Sequence, residues 1–372
     1  MTGSKDKTRV TVIGGGYAGN AMAMMLDADY DVTLIEPNDR FVHNVGLLRA
    51  LVDPDFAARI VFPYDHLLSR GRVIRDRAAE VVPGHVTLAS GEEIETDFIV
   101  LATGSDYPFP AKVDAGPAGD FMDRIAAARE ALAQAERPLL IGAGPVGIEL
   151  AGEITSAWPD KRVTILEAGP RIMPGNFDER LRDQLKAQLA ERKVRLVVGE
   201  TAPLPSPPVG TLGEIMVETD KGTRIEADIW FRCFGGGAKT DYLAGGLEQA
   251  IGARGQVSVV PTLLVEGAER VFAIGDVTDI PETKRAGVGR MHAAVVQQNI
   301  ADILAGRAPS ASYTPAPERM VVPLGPDGGA GYDGSNGGRM FARADVVAQK
   351  GADLTTDRIA QQFAARDREE AS

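Results

Sequence analysis

The sequence predicts an α/β fold with two mostly parallel sheets, the second unit inserted in the first. Three features predict it. The segment IGGGYAGN at 13–20 follows the apolar run Val10, Thr11, Val12, Ile13. A second copy, IGAGPVGI at 141–148, follows Leu139 and Leu140. Each copy opens a helical stretch and is followed by a strand that ends on an acid, Glu36 in the first and Glu167 in the second. At 372 residues the chain exceeds one ordinary hydrophobic core, so two or three domains are expected.

In chain order, a strand at 10–13, a helix at 19–28 and a strand at 31–35 make the first βαβ unit. A helical stretch accompanies FVHNVGLLRAL, and short strands are expected at 80–82 and 86–88. The buried strand DFIVLA at 97–102 runs into Thr103, Gly104 and Ser105. Near 138 the pattern restarts with a strand at 139–141, a helix at 147–157 and a strand at 162–166. A helix at 179–192 follows, then strands at 194–198 and 215–218 and a buried strand at 229–234. The segment APLPSPPVG at 202–210 reads as a surface loop.

The strand 271–274 enters Gly275 and Asp276, and a helix opens at 287–299. Beyond Gly306 the chain reads as Gly- and Pro-rich loops, including PLGPDGGAGYDG, with a final polar helix at 353–366. These readings place a first nucleotide domain at 1–110 and 236–310, an inserted domain at 111–235, and a small cap at 311–372.

The bulk properties exclude several classes. A net charge of −12 opposes nonspecific attraction to nucleic acid or anionic membrane, and disfavours an acidic protein partner such as a ferredoxin. The start MTGSKDKTRV has no apolar core of a signal peptide and no Met-Gly myristoylation pattern. No run approaches the roughly 18 apolar residues of a membrane span, so the cytosol is the expected compartment. No metal-ligand spacing and no Ser–His–Asp signature occur, and His66 and His85 have no supporting constellation.

Gly14, Gly16 and Gly19 fit G-x-G-x-x-G, in which the glycines allow a tight turn, close backbone approach to a pyrophosphate, and close helix–strand packing. The pyrophosphate then meets the positive end of the helix. Glu36 stands 17 residues beyond Gly19, where a carboxylate accepts from ribose hydroxyls. Gly142, Gly144 and Gly147 repeat the motif, with Glu167 20 residues beyond Gly147. The unit VFAIGD sets Asp276 after a strand, suited to the ribityl hydroxyls of a flavin. LATGS brings Thr103 and Gly104 to a strand-end turn near a cofactor. Both accompany the N-terminal fingerprint in flavoproteins with two dinucleotides, which assigns FAD to the first site and the nicotinamide nucleotide to the second. Glu167 favours NADH by accepting from a 2′-hydroxyl and repelling a 2′-phosphate, while Arg171 and Lys161 keep NADPH open.

From Val10 to about Gly306 the chain resembles the two-dinucleotide-binding flavoprotein superfamily, with two Rossmann-like domains of the glutathione-reductase-like kind. Within it, the chain resembles the apoptosis-inducing-factor-like group that includes the ferroptosis suppressor proteins. The resemblance rests on FVHNVGLLRA, LATGS with YPFP, GPVGIELAGEI, RVFAIGDVTDI, and the spacing of Lys284, Ala286, His292 and Ala293. PLGPDGGAGYDG matches less well, and Lys350 in KGADL matches a family lysine near the flavin when a few residues are inserted before it.

The resemblance implies an FAD enzyme that oxidises NAD(P)H and passes electrons to lipophilic quinones. It implies that Glu149 faces the nicotinamide, that His43, Asn44 and Arg49 lie near the isoalloxazine as positioning groups, that Lys284 contacts the flavin or closes the acceptor pocket, and that His292 delivers a proton. A helix-surface glutamate, a solvated lysine and a packing histidine are the plain alternatives for Glu149, Lys284 and His292. Type II NADH dehydrogenases are similar in plan but carry a clearer membrane-binding end. The modest stripe of Leu354, Ile359 and Phe363 reads as cap packing, with peripheral membrane contact left open.

The single cysteine, Cys233 in IWFRCFG, excludes an intrachain disulfide and reads as a buried structural thiol. Thiol–disulfide chemistry is thereby excluded, and electrons are expected to leave directly from the flavin. The competing functions are a reductase for a small iron–sulfur protein and a redox-sensing or interaction flavoprotein.

Overall fold

The structure is a computed structural model and describes residues 7–364, apart from the side chains of Ala286 and Asn336. Its first sheet is parallel throughout. Its five strands run in the order Val271–Ala273, Phe98–Leu101, Arg9–Ile13, Asp31–Ile35, Arg72–Ile74. The last segment to join comes from beyond residue 270, so the sheet is completed only after the second unit has been traversed.

Alternate residues feed opposite faces of this sheet, as the two-residue period of a strand requires. Val10, Val12, Phe98 and Val100 face one buried cluster with Phe272, Val296 and Ile300. Ile13, Ile35, Ile99 and Leu101 face another, closed by Val81, Val86 and Val257.

The second sheet has four parallel strands in the order Arg195–Val198, Thr164–Glu167, Pro138–Ile141, Ile229–Arg232. The helix Pro145–Ala157 follows its glycine turn as Tyr17–Leu26 follows the first. A shared core then joins the parts. Leu47, Leu48 and Leu51 pack in one cluster with Ile125, Ile148 and Ile154 of the second unit and with Val322 and Leu324 near the carboxyl end.

The carboxyl-terminal region differs from its expected reading. PLGPDGGAGYDG is no loop: Arg319–Pro323, Gly329–Asp333 and Arg339–Phe341 form a three-stranded antiparallel sheet. A Cβ on Gly331 would come within 2.4 Å of the Phe341 ring, so the missing side chain is what lets the aromatic pack. The last described helix is Thr356–Ala364; the expected continuation to residue 366 lies outside the described residues. Leu354 and Ile359 are buried, and Phe363 stacks on Phe41 and Phe62 at 5.2 and 5.0 Å. That stripe faces the protein interior.

Candidate active site

At the first glycine turn Gly14 has φ of +102°, and a Cβ there would lie 2.6 Å from the Ala102 carbonyl oxygen. A Cβ on Gly19 would lie 1.8 Å from the Gly14 carbonyl oxygen. Neither position admits another residue without moving backbone. Gly16 begins the helix with no side-chain cap, so the amides of its first turn face outward unclaimed. Glu36 Oε2 accepts from the Gly15 amide at 2.6 Å, and its Oε1 from the Asn38 amide at 2.9 Å. Burial pushes this carboxyl's pKa up, and the two amides oppose the shift. Tyr64 Oη donates to the Gly15 carbonyl at 2.7 Å.

A cavity of about 720 Å³ opens on this turn, within the range of cofactor sites. Its wall includes Gly14, Gly16, Glu36, Thr103, Gly104 and Asp276 of the first unit, Asn44 and Leu48 of the following segment, Pro145, Val146 and Glu149 of the second unit, and Lys350. Asp276 Oδ2 accepts from Ser105 Oγ at 3.1 Å. The helix Ala286–Leu304 lies against Tyr17–Leu26 because Gly289 leaves room: a Cβ there would sit 2.5 Å from that of Ala18.

Two residues with expected chemical roles turn out to be partners. Lys350 Nζ donates to Glu149 Oε1 at 2.8 Å, joining the carboxyl-terminal region to the helix behind the second glycine turn. One turn further along, Arg49 makes two hydrogen bonds to the Glu153 carboxylate at 2.9 and 3.0 Å. It also donates to the carbonyls of Gly351 and Ala352. The buried Arg49 therefore stands behind the cavity wall and fastens three parts of the chain.

The histidines also lie behind the wall. His43 Nδ1 is 2.8 Å from Tyr17 Oη and its Nε2 is 2.8 Å from the Leu354 carbonyl. With that carbonyl as acceptor the proton is assigned to Nε2, and the tyrosine donates to Nδ1. His292 Nδ1 accepts from the Gly275 amide at 3.0 Å, and its Nε2 lies 3.1 Å from Glu282 Oε1 without hydrogen-bond alignment. Burial holds both imidazoles' pKa down to about 4, so both are neutral at pH 7. Lys284 lines the cavity, yet its ammonium donates to the carbonyls of Thr278 and Ile280 and braces that loop.

The second glycine turn repeats the first. Gly142 has φ of +109°, and a Cβ there would be 2.8 Å from the Cys233 carbonyl oxygen; one on Gly147 would be 2.0 Å from the Gly142 carbonyl oxygen. Gly144 begins the helix without a side-chain cap. Glu167 accepts from the amides of Ala143 and Gly169, each at 2.7 Å. Arg171 pairs with Glu179 at 2.8 Å. Lys161 precedes the strand that Glu167 ends, and binds the carbonyls of Ala133 and Ala135.

A family model described as pyridine nucleotide-disulphide oxidoreductase matches residues 8–297. The chain belongs to this family. It is 30% identical to ferroptosis suppressor protein 1 of Taeniopygia guttata over 93% of each chain. It is 28% identical to apoptosis-inducing factor homolog B of Dictyostelium discoideum, over 88% of this chain and 89% of that protein. The structure of the sulfide:quinone oxidoreductase from Aquifex aeolicus superposes with a TM-score of 0.75 at 18% identity. It covers 96% of this chain and 92% of that one, and shows the shared fold.

The chain is thus a flavin-dependent pyridine-nucleotide oxidoreductase, with FAD and NAD(P)H as its cofactors. The residues of the first cleft fit FAD. The uncapped helix start and Cβ-free turn suit a pyrophosphate, and the Glu36 and Asp276 carboxylates suit hydroxyl groups.

Despite the family's description, the sole cysteine serves packing. Cys233 is buried, its sulfur lies 3.8 Å from the Phe231 carbonyl, and burial pushes its thiol up to about 12. Among the described residues no group of three His, Cys, Asp or Glu could hold a metal ion, and no helix is long and apolar enough to cross a membrane.

Sequence reasoning missed Tyr17, Tyr64, Ser105 and Lys112, all on the cavity wall. Lys112 stands two residues beyond the YPFP segment that carried part of the resemblance, and that adjacency was the available signal.

Proposed function

We propose that the protein is an NAD(P)H:quinone oxidoreductase in which electrons pass from nucleotide to flavin to acceptor with no redox cysteine between them. One observation carries this reading. A single cavity is walled both by the first glycine turn and by Pro145, Val146 and Glu149 at the start of the helix behind the second. A ring held from one side and a ring delivered from the other would meet there. Bound FAD supplies the hydride acceptor and the two-electron donor. Overall, NAD(P)H, a quinone and one proton give NAD(P)⁺ and the quinol.

The residues divide the work. Gly14, Gly16 and Gly19 seat the FAD pyrophosphate, Glu36 its ribose, and Thr103, Gly104 and Asp276 its ribityl chain, with Asn44 near the ring. Gly142, Gly144, Gly147 and Glu167 do the same for the nicotinamide nucleotide. The Lys350 ammonium fixes the Glu149 carboxylate, which orients the carboxamide of the nicotinamide. His43 and His292, neutral and buried, position Tyr17 and the Gly275–Asp276 turn. NADH is preferred to NADPH, because Glu167 is locked by two amides and both nearby basic residues are engaged elsewhere. A quinone would meet the apolar side chains of Val42, Leu48 and Val146 on the wall, and the net charge of −12 disfavours an acidic iron–sulfur protein.

Mixing purified yellow protein with NADH and then with menadione tests the reading: rapid bleaching and quinone-dependent recovery of colour are expected. Ferredoxin-dependent cytochrome reduction would replace it with the iron–sulfur reading. Slow reoxidation by every quinone, with a long-lived charge-transfer band, would replace it with a redox sensor.

A further inference from the structure

The glycine turn GGGYAG contributes no basic residue, yet the FAD pyrophosphate proposed for it carries two negative charges beside the carboxylates of Glu36 and Asp276. A helix N-terminus offers about half an elementary charge. A countercharge is needed, and the cavity's cations are unequal candidates. Lys239 pairs with Asp106 at 3.3 Å, Lys350 with Glu149, Lys284 is held by loop carbonyls, and Arg285 donates to the Arg319 carbonyl; Arg40 and Arg77 stand exposed.

Lys112 is different. Its side chain is partly buried on the wall, its ammonium donates to the Ser105 carbonyl, and among the described residues no carboxylate lies within ion-pair distance. Burial pushes its pKa down, while Asp276, Asp106 and Glu36 oppose that shift, so the ammonium feels both carboxylates that would hold the flavin's ribityl and ribose hydroxyls. A pyrophosphate joins those two groups in FAD.

The segment carrying the lysine is anchored on both sides. Phe109 is buried against Phe121 at 5.7 Å, and the Val113 amide donates to Asn44 Oδ1 at 3.2 Å. The ammonium also stands 3.3 Å from where a Cβ on Gly104 would be, so Gly104 keeps its path open.

We propose that Lys112 is the pyrophosphate-binding cation of the first cleft, exchanging its Ser105 carbonyl for a phosphate oxygen and neutralising charge that the helix terminus leaves uncompensated. This goes beyond the proposed function but rests on its placement of FAD in that cleft.

The test follows FAD release from the holoenzyme, by the rise in free-flavin fluorescence on dilution, for wild type, Lys112→Met and Lys112→Arg at low and high salt. The methionine variant should release FAD about 10- to 100-fold faster, as expected for loss of a charged hydrogen bond. Its release should depend less on salt, while the arginine variant stays within a few-fold of wild type. A purely structural role would not alter the salt dependence. Release within two-fold of wild type for the methionine variant, or equal salt dependence, overturns the proposal. Where the methionine variant does not fold, Lys112→Gln carries the same measurement and the same outcomes. A wild-type protein that holds no flavin overturns the placement of FAD itself, a result separate from any ranking of the variants.

Discussion

The two glycine turns are near copies of one another in hydrogen bonding and in the φ of their first glycine, yet they face different surroundings. In each, a positive-φ glycine sits under a neighbouring carbonyl, and a strand-end glutamate takes the amide of the next residue and another two positions beyond itself. The first turn opens into a cavity closed around it by Tyr64, Lys112 and Val113. Of the second, only the start of its helix reaches that cavity. Identical local chemistry can therefore serve two purposes. Enclosure by several segments suits a cofactor retained through many turnovers, because residence time follows how much contact must be broken.

The largest test of this contrast is to fill each turn in turn. Gly14→Val should abolish flavin retention and give colourless protein. Gly142→Val should stay yellow while its KM for NADH rises at least about ten-fold, since both add a Cβ against backbone but only one does so in the enclosed site. Flavin loss in both variants would show the units to be interdependent.

Next in size is the joint between them. Arg49→Met leaves the buried Glu153 carboxylate without its partner and should cost about 3–5 kcal/mol, read from urea unfolding. A loss below about 1 kcal/mol would mean the units are held by apolar packing alone. Smaller again, Glu149→Gln should keep full flavin content and slow reduction by NADH about 10- to 100-fold, measured by stopped-flow bleaching. An unchanged rate would remove Glu149 from the site.

The smallest effect concerns acid. His43 and His292 titrate near 4 when folded, against about 6.5 when unfolded, so below pH 6.5 the unfolded chain binds protons that the folded one refuses. Their contribution is intact above pH 6.5 and is lost progressively between 6.5 and 4. None of the four histidines lies between Pro138 and Arg232, the span of the second sheet, so acid should loosen the first unit before the second. Hydrogen exchange at pH 5 against pH 7 checks the order, and earlier loss of protection in the second unit would refute it.

Much of the site was readable before any coordinates. Gly14 and Glu36, their counterparts Gly142 and Glu167 in the second unit, and Asp276 announce themselves because each answers a local demand: a backbone with no room for a Cβ, or a carboxylate at a strand end. The pairing of Glu149 with Lys350 across 201 positions, and of His43 with the Leu354 carbonyl across 311, leaves no periodic mark. The glycine-rich 329–333 strand was misread for a related reason. Gly331 makes room for Phe341 and Gly329 for the Val322 carbonyl, and an apolar pattern cannot display a space.

The amino-acid order alone determined that this protein has two nucleotide-type βαβ units and which acids close them, since steric exclusion and strand–helix periodicity act over a few residues. Only the tertiary structure decided that Arg49 fastens rather than lines the cleft, that Lys112 stands inside it, and that the second unit meets the first cleft through the start of its helix. Those outcomes depend on burial and on charge at distances set by the packing of segments hundreds of residues apart.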